Sequence, residues 1–358
     1  MISRRSAQIA LFLIIVCLSR QAYAQASWTH TAEADQLCRE HFDRNNLVGM
    51  SVAVAHNGKI VYAKGFGWQD RERNAKATEM TRYRLASVSK PITSLIAMEL
   101  VTRKKLDLDR KVREYLPDLP AGHDYTARHL LSHTSGMRHY AGAGDKTTSV
   151  KQHYATLADA VKLFIDDDLK SQPGEKYQYS THGFSVLGRQ IEAITKAPFE
   201  RYAASRFRAW GIDDLNPESD GTRNKNRSAL YERKDGQNRP AERDDLSWKY
   251  PGGGYECSAH DLCKLGIKVL DGKILPRANL DTLWTVQTVK TGTSTYGLGW
   301  VVGSDNGKRV VTHSGSQSGA ASIWRIYPDD GVVVVVLANM VYSGPADLSR
   351  NLAALAFK

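Results

Sequence analysis

The hydrophobic pattern changes period twice along the chain. Met50-Ser51-Val52-Ala53-Val54 alternates with period two, His56-Asn57-Gly58-Lys59 supplies a turn, and Ile60-Val61-Tyr62 returns. Asn-Gly between apolar runs is the strongest short-range hairpin signal, so 47–68 predicts two paired strands, preceded by a helix over 30–45. The far end repeats the pattern. Segments 296–302, 309–313, 320–327 and 332–337 read as strands, with turns at Asn306-Gly307 and Pro328-Asp329-Asp330-Gly331, and 346–357 suits a closing helix. Between them a 3.6-residue period takes over, predicting helices over 87–102, 126–132, 157–165, 182–195, 198–210 and 258–270. Residues 216–249 are polar and charged and read as a long surface excursion, with a short hairpin around Leu230-Tyr231.

Strands at both ends with helices between them predict an α/β fold of the α+β kind. An antiparallel sheet is assembled from both chain ends and flanked by helices, with a large helical insertion lobe. The sheet lobe is expected over about 25–86 and 291–358, and the helical lobe over about 103–290. A site between the two lobes follows. There is no internal repeat and no low-complexity tract.

The first 24 residues stand apart. Arg4 and Arg5 open them, residues 9–18 are a short apolar run, and Ala22-Tyr23-Ala24 has the small-x-small form of a cleavage site. This predicts a signal peptide over 1–24 and a mature domain over 25–358 in the periplasm or secreted; an uncleaved anchor is the rival reading. No run of 18 apolar residues occurs, so no stable membrane span is expected. The formal charge is +11, and loss of Arg4, Arg5 and Arg20 leaves about +8. The bases are scattered among acids, which favours a solvated basic surface over a nucleic-acid face. Cys38, Cys257 and Cys263 remain, an odd number without metal-site spacing. Ser258 followed by Asp261 reads as a helix N-cap, placing Cys263 in the second turn, at the edge of disulfide reach from Cys257. The spacing weighs against that bridge.

Three short elements carry chemistry. In Ser87-Val88-Ser89-Lys90-Pro91, positions three apart share a helical face, so Ser87 and Lys90 can touch. Pro91 fits only a first helical turn, which puts Ser87 at the helix start, where free N–H groups favour a developing anion. An amine beside the hydroxyl can take its proton if burial or another cation lowers its pKa. In Tyr179-Ser180-Thr181, a tyrosine on a loop between lobes can serve as a base if nearby cations keep its phenol partly ionised. In His313-Ser314-Gly315-Ser316, at a strand end, the glycine permits close approach, and the backbone N–H groups of Ser316 and Ser87 can form an oxyanion hole. Alone, each element also suits a plain helix start, a packed tyrosine or a strand-end turn.

Their order is more specific than any one of them. S-x-x-K, Y-x-[N/S/T] and [K/H]-[S/T]-G follow one another at this separation, with the stretches His129-Leu130-Leu131-Ser132-His133-Thr134-Ser135-Gly136 and Gly252-Gly253-Gly254 between them. Over residues 35 to 357 the sequence resembles the serine β-lactamase and penicillin-binding family. It looks closest to the class C-like branch, which holds D-amino peptidases and family VIII esterases, and is similar to the mitochondrial serine β-lactamase-like protein and its bacterial relatives. The resemblance implies Ser87 as nucleophile, Lys90 as its proton partner, and Tyr179 as base and leaving-group acid. It implies Thr181, His313, Ser314 and Gly315 as substrate-binding positions, and no cofactor or metal. The implied substrate is a small molecule or peptide, such as a cell-wall-derived D-amino-acid peptide, an amide or a β-lactam. A carboxylesterase with the same residues and a non-catalytic scaffold are the alternatives. Two positions depart from the family pattern. Thr181 replaces an amide side chain, and His313 stands where many relatives carry lysine. With an ordinary pKa near 6.5, His313 is expected to hold a substrate carboxylate less well as pH rises through about 6 to 7.

His129 and His133 have the i, i+4 spacing of zinc ligands, but Leu130 occupies the place of the H-E-x-x-H glutamate and no third ligand is evident, so capping or packing is expected. Gly315-Ser316-Gln317-Ser318-Gly319 misses the nucleophile-elbow pattern at Gln317.

Overall fold

The computed structural model describes residues 28–141, 145–148, 150–219, 226–342 and 344–358. The expected signal peptide over 1–24, with Cys17, lies outside the described residues. Helix α1 (Thr31–Arg44) leads into strands β1 (Gly49–His56), β2 (Lys59–Asp70), β3 (Ala75–Lys76) and β4 (Arg82–Arg84). Helices α2 (Ser89–Thr102), α3 (Ala127–Leu131), α4 (Leu157–Ala160), α5 (Thr181–Thr195) and α6 (Phe199–Ala209) follow. Strands β5 (Asn216–Pro217), β6 (Tyr231–Lys234) and β7 (Gln237–Pro240), helix α7 (Tyr250–Gly253), strand β8 (Tyr255–Ser258), and helices α8 (Ala259–Leu270) and α9 (Arg277–Leu283) complete the middle. The chain ends with β9 (Val301–Asp305), β10 (Lys308–Gln317), β11 (Ala320–Tyr327), β12 (Val332–Ala338) and α10 (Pro345–Ala356).

The main sheet has seven strands in the order β3-β2-β1-β12-β11-β10-β9, all antiparallel. The two ends of the chain meet where β1 pairs with β12, Met50 opposite Ala338 and His56 opposite Val332. The β12 run Val332-Val333-Val334-Val335-Val336-Leu337 is apolar at every position because both faces are covered. Val333, Val335 and Leu337 pack with α2 and α8, while Val332, Val334 and Val336 pack with α1 and α10. Full burial of each such side chain is worth about 1.5–3 kcal/mol. The sheet therefore has a helical layer on each face, and the larger core extends into the helical insertion.

Most predicted elements are present within a residue or two, and four details differ. The strand expected from Tyr296 begins only at Val301, because Tyr296 is turned inward as a buried side chain. A small sheet of β4, β8 and β5 was not foreseen; its strands are two to four residues long, too short for a period to register. Helix α9 was also not foreseen. Residues 216–249 form the expected hairpin, β6 with β7, yet Glu218, Leu230, Tyr231, Leu246 and Trp248 are buried. The hairpin itself lies on the surface as expected, while the described residues on either side of it enter the core. All three cysteines in the described residues are buried free thiols, and the Ser258 side chain caps α8 as expected, accepting from Asp261 N–H at 3.2 Å.

Candidate active site

Ser87 lies in a 3-10 turn, Ala86–Val88, immediately before α2. The residue before it, Ala86, has φ +46°, a left-handed conformation that costs a non-glycine residue about 1–3 kcal/mol. Three contacts hold the turn. Leu85 N–H donates to Tyr255 O at 2.8 Å, the Ser322 hydroxyl donates to Leu85 O at 2.6 Å, and Gly315 packs directly on the turn. A Cβ at Gly315 would stand 2.5 Å from Leu85 O and 2.9 Å from Ala86 Cβ, so only glycine fits there.

One helical turn on, Lys90 is fully buried. Its Nζ lies 2.6 Å from Gly252 O, 3.2 Å from Thr181 Oγ1 and 3.1 Å from Ser87 Oγ. The Gly252 carbonyl is fixed because Thr93 on α2 donates to Pro251 O at 2.7 Å and Tyr255 N–H donates to Ser89 Oγ at 3.1 Å. Burial, reinforced by the positive charge of Lys249, holds the Lys90 amine well below its usual pKa. Lys90 Nζ donates to all three oxygens, and loss of one proton would leave a lone pair facing Ser87 Oγ.

Tyr179 lies just before the N-cap of α5, where Ser180 Oγ accepts from Gly183 N–H at 3.1 Å. Its phenol O–H donates to Ser87 Oγ at 2.8 Å. Two histidines frame the ring. His133, 4.2 Å away between ring centroids, accepts from Ser180 N–H at 3.1 Å, and His139, edge-on at 5.3 Å, accepts from Thr181 N–H at 3.2 Å. Both accept through Nδ1, and burial keeps both neutral, His139 down to about 3. Burial raises the Tyr179 pKa well above its usual value, against a smaller lowering from the Ser87 bond. Burial thus opposes ionisation of the Tyr179 phenol, whose ring centre lies 4.8 Å from the Lys90 amine. The residue is a phenol donor.

The structure brings Ser87, Lys90 and Tyr179 together and moves two expected substrate contacts behind them. Thr181 is 1% exposed and faces Lys90. His313 is 4% exposed, with Nδ1–H donating to Ser314 O at 2.6 Å and Nε2 accepting from the Tyr296 hydroxyl at 2.7 Å. Burial, with a smaller contribution from Lys90, lowers its pKa to about 3. This moves its titration well below the expected range of pH 6 to 7 and makes the ring a neutral spacer between Tyr296 and Tyr179. Along β10 the side chains alternate, so Ser314 and Ser316 are exposed while His313 and Gly315 are buried. Strand β9 pairs β10 only from Lys308 to Thr312, which leaves the 313–317 edge next to the Ser87 turn without a strand partner there.

His129 and His133 do not converge on a metal position. His129 closes the capping box of α3 with Thr126, its Nδ1 accepting from Thr126 N–H at 3.2 Å, and His133 packs against Tyr179. Tyr296, His139 and Lys249 were not singled out from the sequence. Trp248-Lys249-Tyr250, apolar around a lysine and directly before Pro251-Gly252-Gly253-Gly254, was the available signal for the last of them.

A family model described as Beta-lactamase matches residues 34–357. Among curated proteins, Protein flp of Staphylococcus aureus (strain MRSA252) is 23% identical over 319 residues, covering 86% of this chain and 62% of that protein. The chain thus spans less than two thirds of that relative. Among solved structures, EstCE1, described as a hydrolase with promiscuous acyltransferase activity, superposes with a TM-score of 0.77 at 24% identity, covering 90% of this chain and 98% of its own. The D-amino acid amidase from Ochrobactrum anthropi SV3 gives a TM-score of 0.79 at 20% identity, with the same coverage.

Proposed function

Because this chain belongs to the beta-lactamase family of serine hydrolases, we propose that it is an exported acyl hydrolase that opens amide, β-lactam or ester carbonyls through an acyl-enzyme on Ser87. The observation that carries this reading is the position of Ser87 Oγ, 3.1 Å from a buried amine and 2.8 Å from a phenol donor. In this mechanism the Lys90 lone pair takes the Ser87 proton as Oγ attacks the carbonyl carbon. The oxyanion is held by the N–H groups of Ser87 and Ser316. As the intermediate collapses, the Tyr179 O–H protonates the departing nitrogen or oxygen, and the Lys90 ammonium returns its proton to Tyr179. Water then attacks the acyl ester and gives its proton to Lys90, which passes it to Ser87 Oγ as the acid departs, restoring both the serine and the free amine. D-amino-acid amides and peptides fit the substrate class; the family resemblance and the likeness to the amidase fold support it. Esters are the second reading, favoured by a neutral, buried His313 that offers no cation beside the scissile bond. The leader-like composition of residues 1–24 supports export, and no helix among the described residues is long and apolar enough to cross a membrane.

Intact mass after incubation with a penicillin, on wild type and Ser87→Ala, tests the acyl-enzyme. The expected result is an adduct, or hydrolysed penicillin, with wild type only. If neither protein reacts with a penicillin or with a short p-nitrophenyl ester, the scaffold reading replaces this one.

A further inference from the structure

A second lysine lies beside the site without a hydrogen-bond acceptor among the described residues. Lys249 is 7% exposed, held at the end of the segment that enters α7, with its amine 5.4 Å from the Trp248 ring centre and 5.9 Å from that of Tyr140. Among the described residues no carboxylate or carbonyl accepts a hydrogen bond from it. Glu218 is taken by Arg84 at 2.7 Å and by Arg243 at 2.9 Å, and Asp244 by Arg84 at 2.7 Å. Both carboxylates nearest Lys249 are thus hydrogen-bonded to arginines, and neither is hydrogen-bonded to the lysine.

A second donor is idle nearby. The side-chain amide nitrogen of Gln317, at the end of β10, is buried and has no hydrogen-bond partner among the described residues. Gly253 sits between the two. A Cβ there would lie 3.6 Å from Gln317 Oε1, 3.7 Å from Lys249 Cδ and 3.9 Å from the Ala86 carbonyl carbon, one residue from Ser87. A cation without a hydrogen-bond acceptor and a buried amide N–H without a partner, on either side of Gly253 and next to the turn that carries Ser87, make an arrangement that an anion would complete.

We propose that Lys249 and Gln317 bind a carboxylate carried by the acyl portion of the substrate. This rests on the acyl-enzyme reading above. The acyl side follows from β10: Tyr179, the donor to the departing group, stands at the His313 end, 6.2 Å from that ring. Gln317 is four residues along, about 13 Å at strand spacing. The leaving group departs toward Tyr179, and the acyl group extends toward Gln317. The charged groups that face Lys249 are Asp244, Glu218, Arg84, Lys90 and His139. Burial, partly offset by Asp244, brings the amine to about 8, which leaves it mostly cationic at neutral pH.

The test compares mono-p-nitrophenyl adipate with p-nitrophenyl hexanoate, esters of equal acyl length that differ in the terminal carboxylate. The readout is the ratio of their kcat/KM values, because Lys249 also lowers the pKa of Lys90 and its loss changes both rates. Wild type should favour the adipate. Lys249→Met, which keeps the stem between the two rings, should lower the ratio about tenfold or more, and Lys249→Arg should restore most of it. Gln317→Leu should lower it by a smaller factor and serves if the Lys249 variants do not fold. An unchanged ratio in folded Lys249→Met or Gln317→Leu overturns the proposal. Calorimetry with monomethyl adipate on Ser87→Ala separates the two readings. Binding lost on adding Lys249→Met upholds the anion site even where wild type turns over neither ester, in which case only the acyl-enzyme reading fails. Absence of binding to Ser87→Ala overturns the site itself.

Discussion

A lysine with no exposed surface must either lose its proton or find a carboxylate, and Lys90 has no carboxylate partner among the described residues. Its neighbours are a carbonyl and two hydroxyls. Those oxygens can accept from an amine or an ammonium, and it is burial, with the Lys249 charge, that favours the free amine. The distinction can be measured. Arginine keeps the charge and the reach but stays protonated throughout the physiological range. Lys90→Arg should therefore lower kcat/KM on a neutral ester by about 10² to 10⁴-fold, the usual contribution of a general base, with near-ultraviolet circular dichroism confirming the fold. Retention of more than a tenth of wild-type activity would mean that Lys90 acts as a fixed charge. His313 is the contrasting residue. Its identity was legible in the sequence and its behaviour was not, because the pKa is set by burial under neighbours remote in the chain and by Lys90.

At the level of elements, the site depends on how closely β10 approaches the turn before α2. Gly315 sets that distance, since a Cβ would meet Ser322 Oγ at 2.4 Å as well as the Leu85 carbonyl. Gly315→Ala should push the strand away from Ser87, lowering kcat/KM about tenfold or more while costing about 1–3 kcal/mol of stability, as overpacking of a core does. Parallel urea unfolding and ester kinetics check both; an active, equally stable variant would show that the spacing is not set here. Strands and helices of this molecule were legible where the period ran for five residues or more, as in β1, β11, β12 and α8. The S-x-x-K turn was legible too, because i and i+3 are local. What escaped was long-range. Strands β4, β5 and β8 exist through pairing with one another, and Arg84 ties residues 218 and 244 to the β10–β11 turn through Ser318 O at 3.2 Å. The polar text around Glu218 and Asp244 conceals that the first is buried and the second partly so, since both carboxylates are paired with Arg84, and Lys249 was hidden with them.

The whole molecule concentrates its histidines indoors. His133, His139, His182 and His313 are held far below their usual pKa, in each case first by burial, with His182 at about 4 and His139 and His313 at about 3. In the unfolded chain each returns to about 6.5. Between that value and the folded one the unfolded state binds more protons, so stability is complete above pH 6.5 and falls as pH drops. Each such histidine contributes a slope of about 1.4 kcal/mol per pH unit, and four together about 5 kcal/mol. Over two pH units this removes about 10 kcal/mol, comparable with a typical domain stability of about 5–15 kcal/mol. The urea midpoint should therefore decline steadily from pH 6.5 and reach zero near pH 4 to 5, before most carboxylates are protonated. His182, stacked on Phe164 at 4.1 Å and making no contact with Ser87, allows the cause to be isolated. His182→Phe should flatten the slope by about a quarter over this range. A midpoint that stays constant from pH 7 to 5 and drops only below 4 would assign the acid limit to the carboxylates, and the buried histidines would then have to be protonated, or already paired, in the folded state.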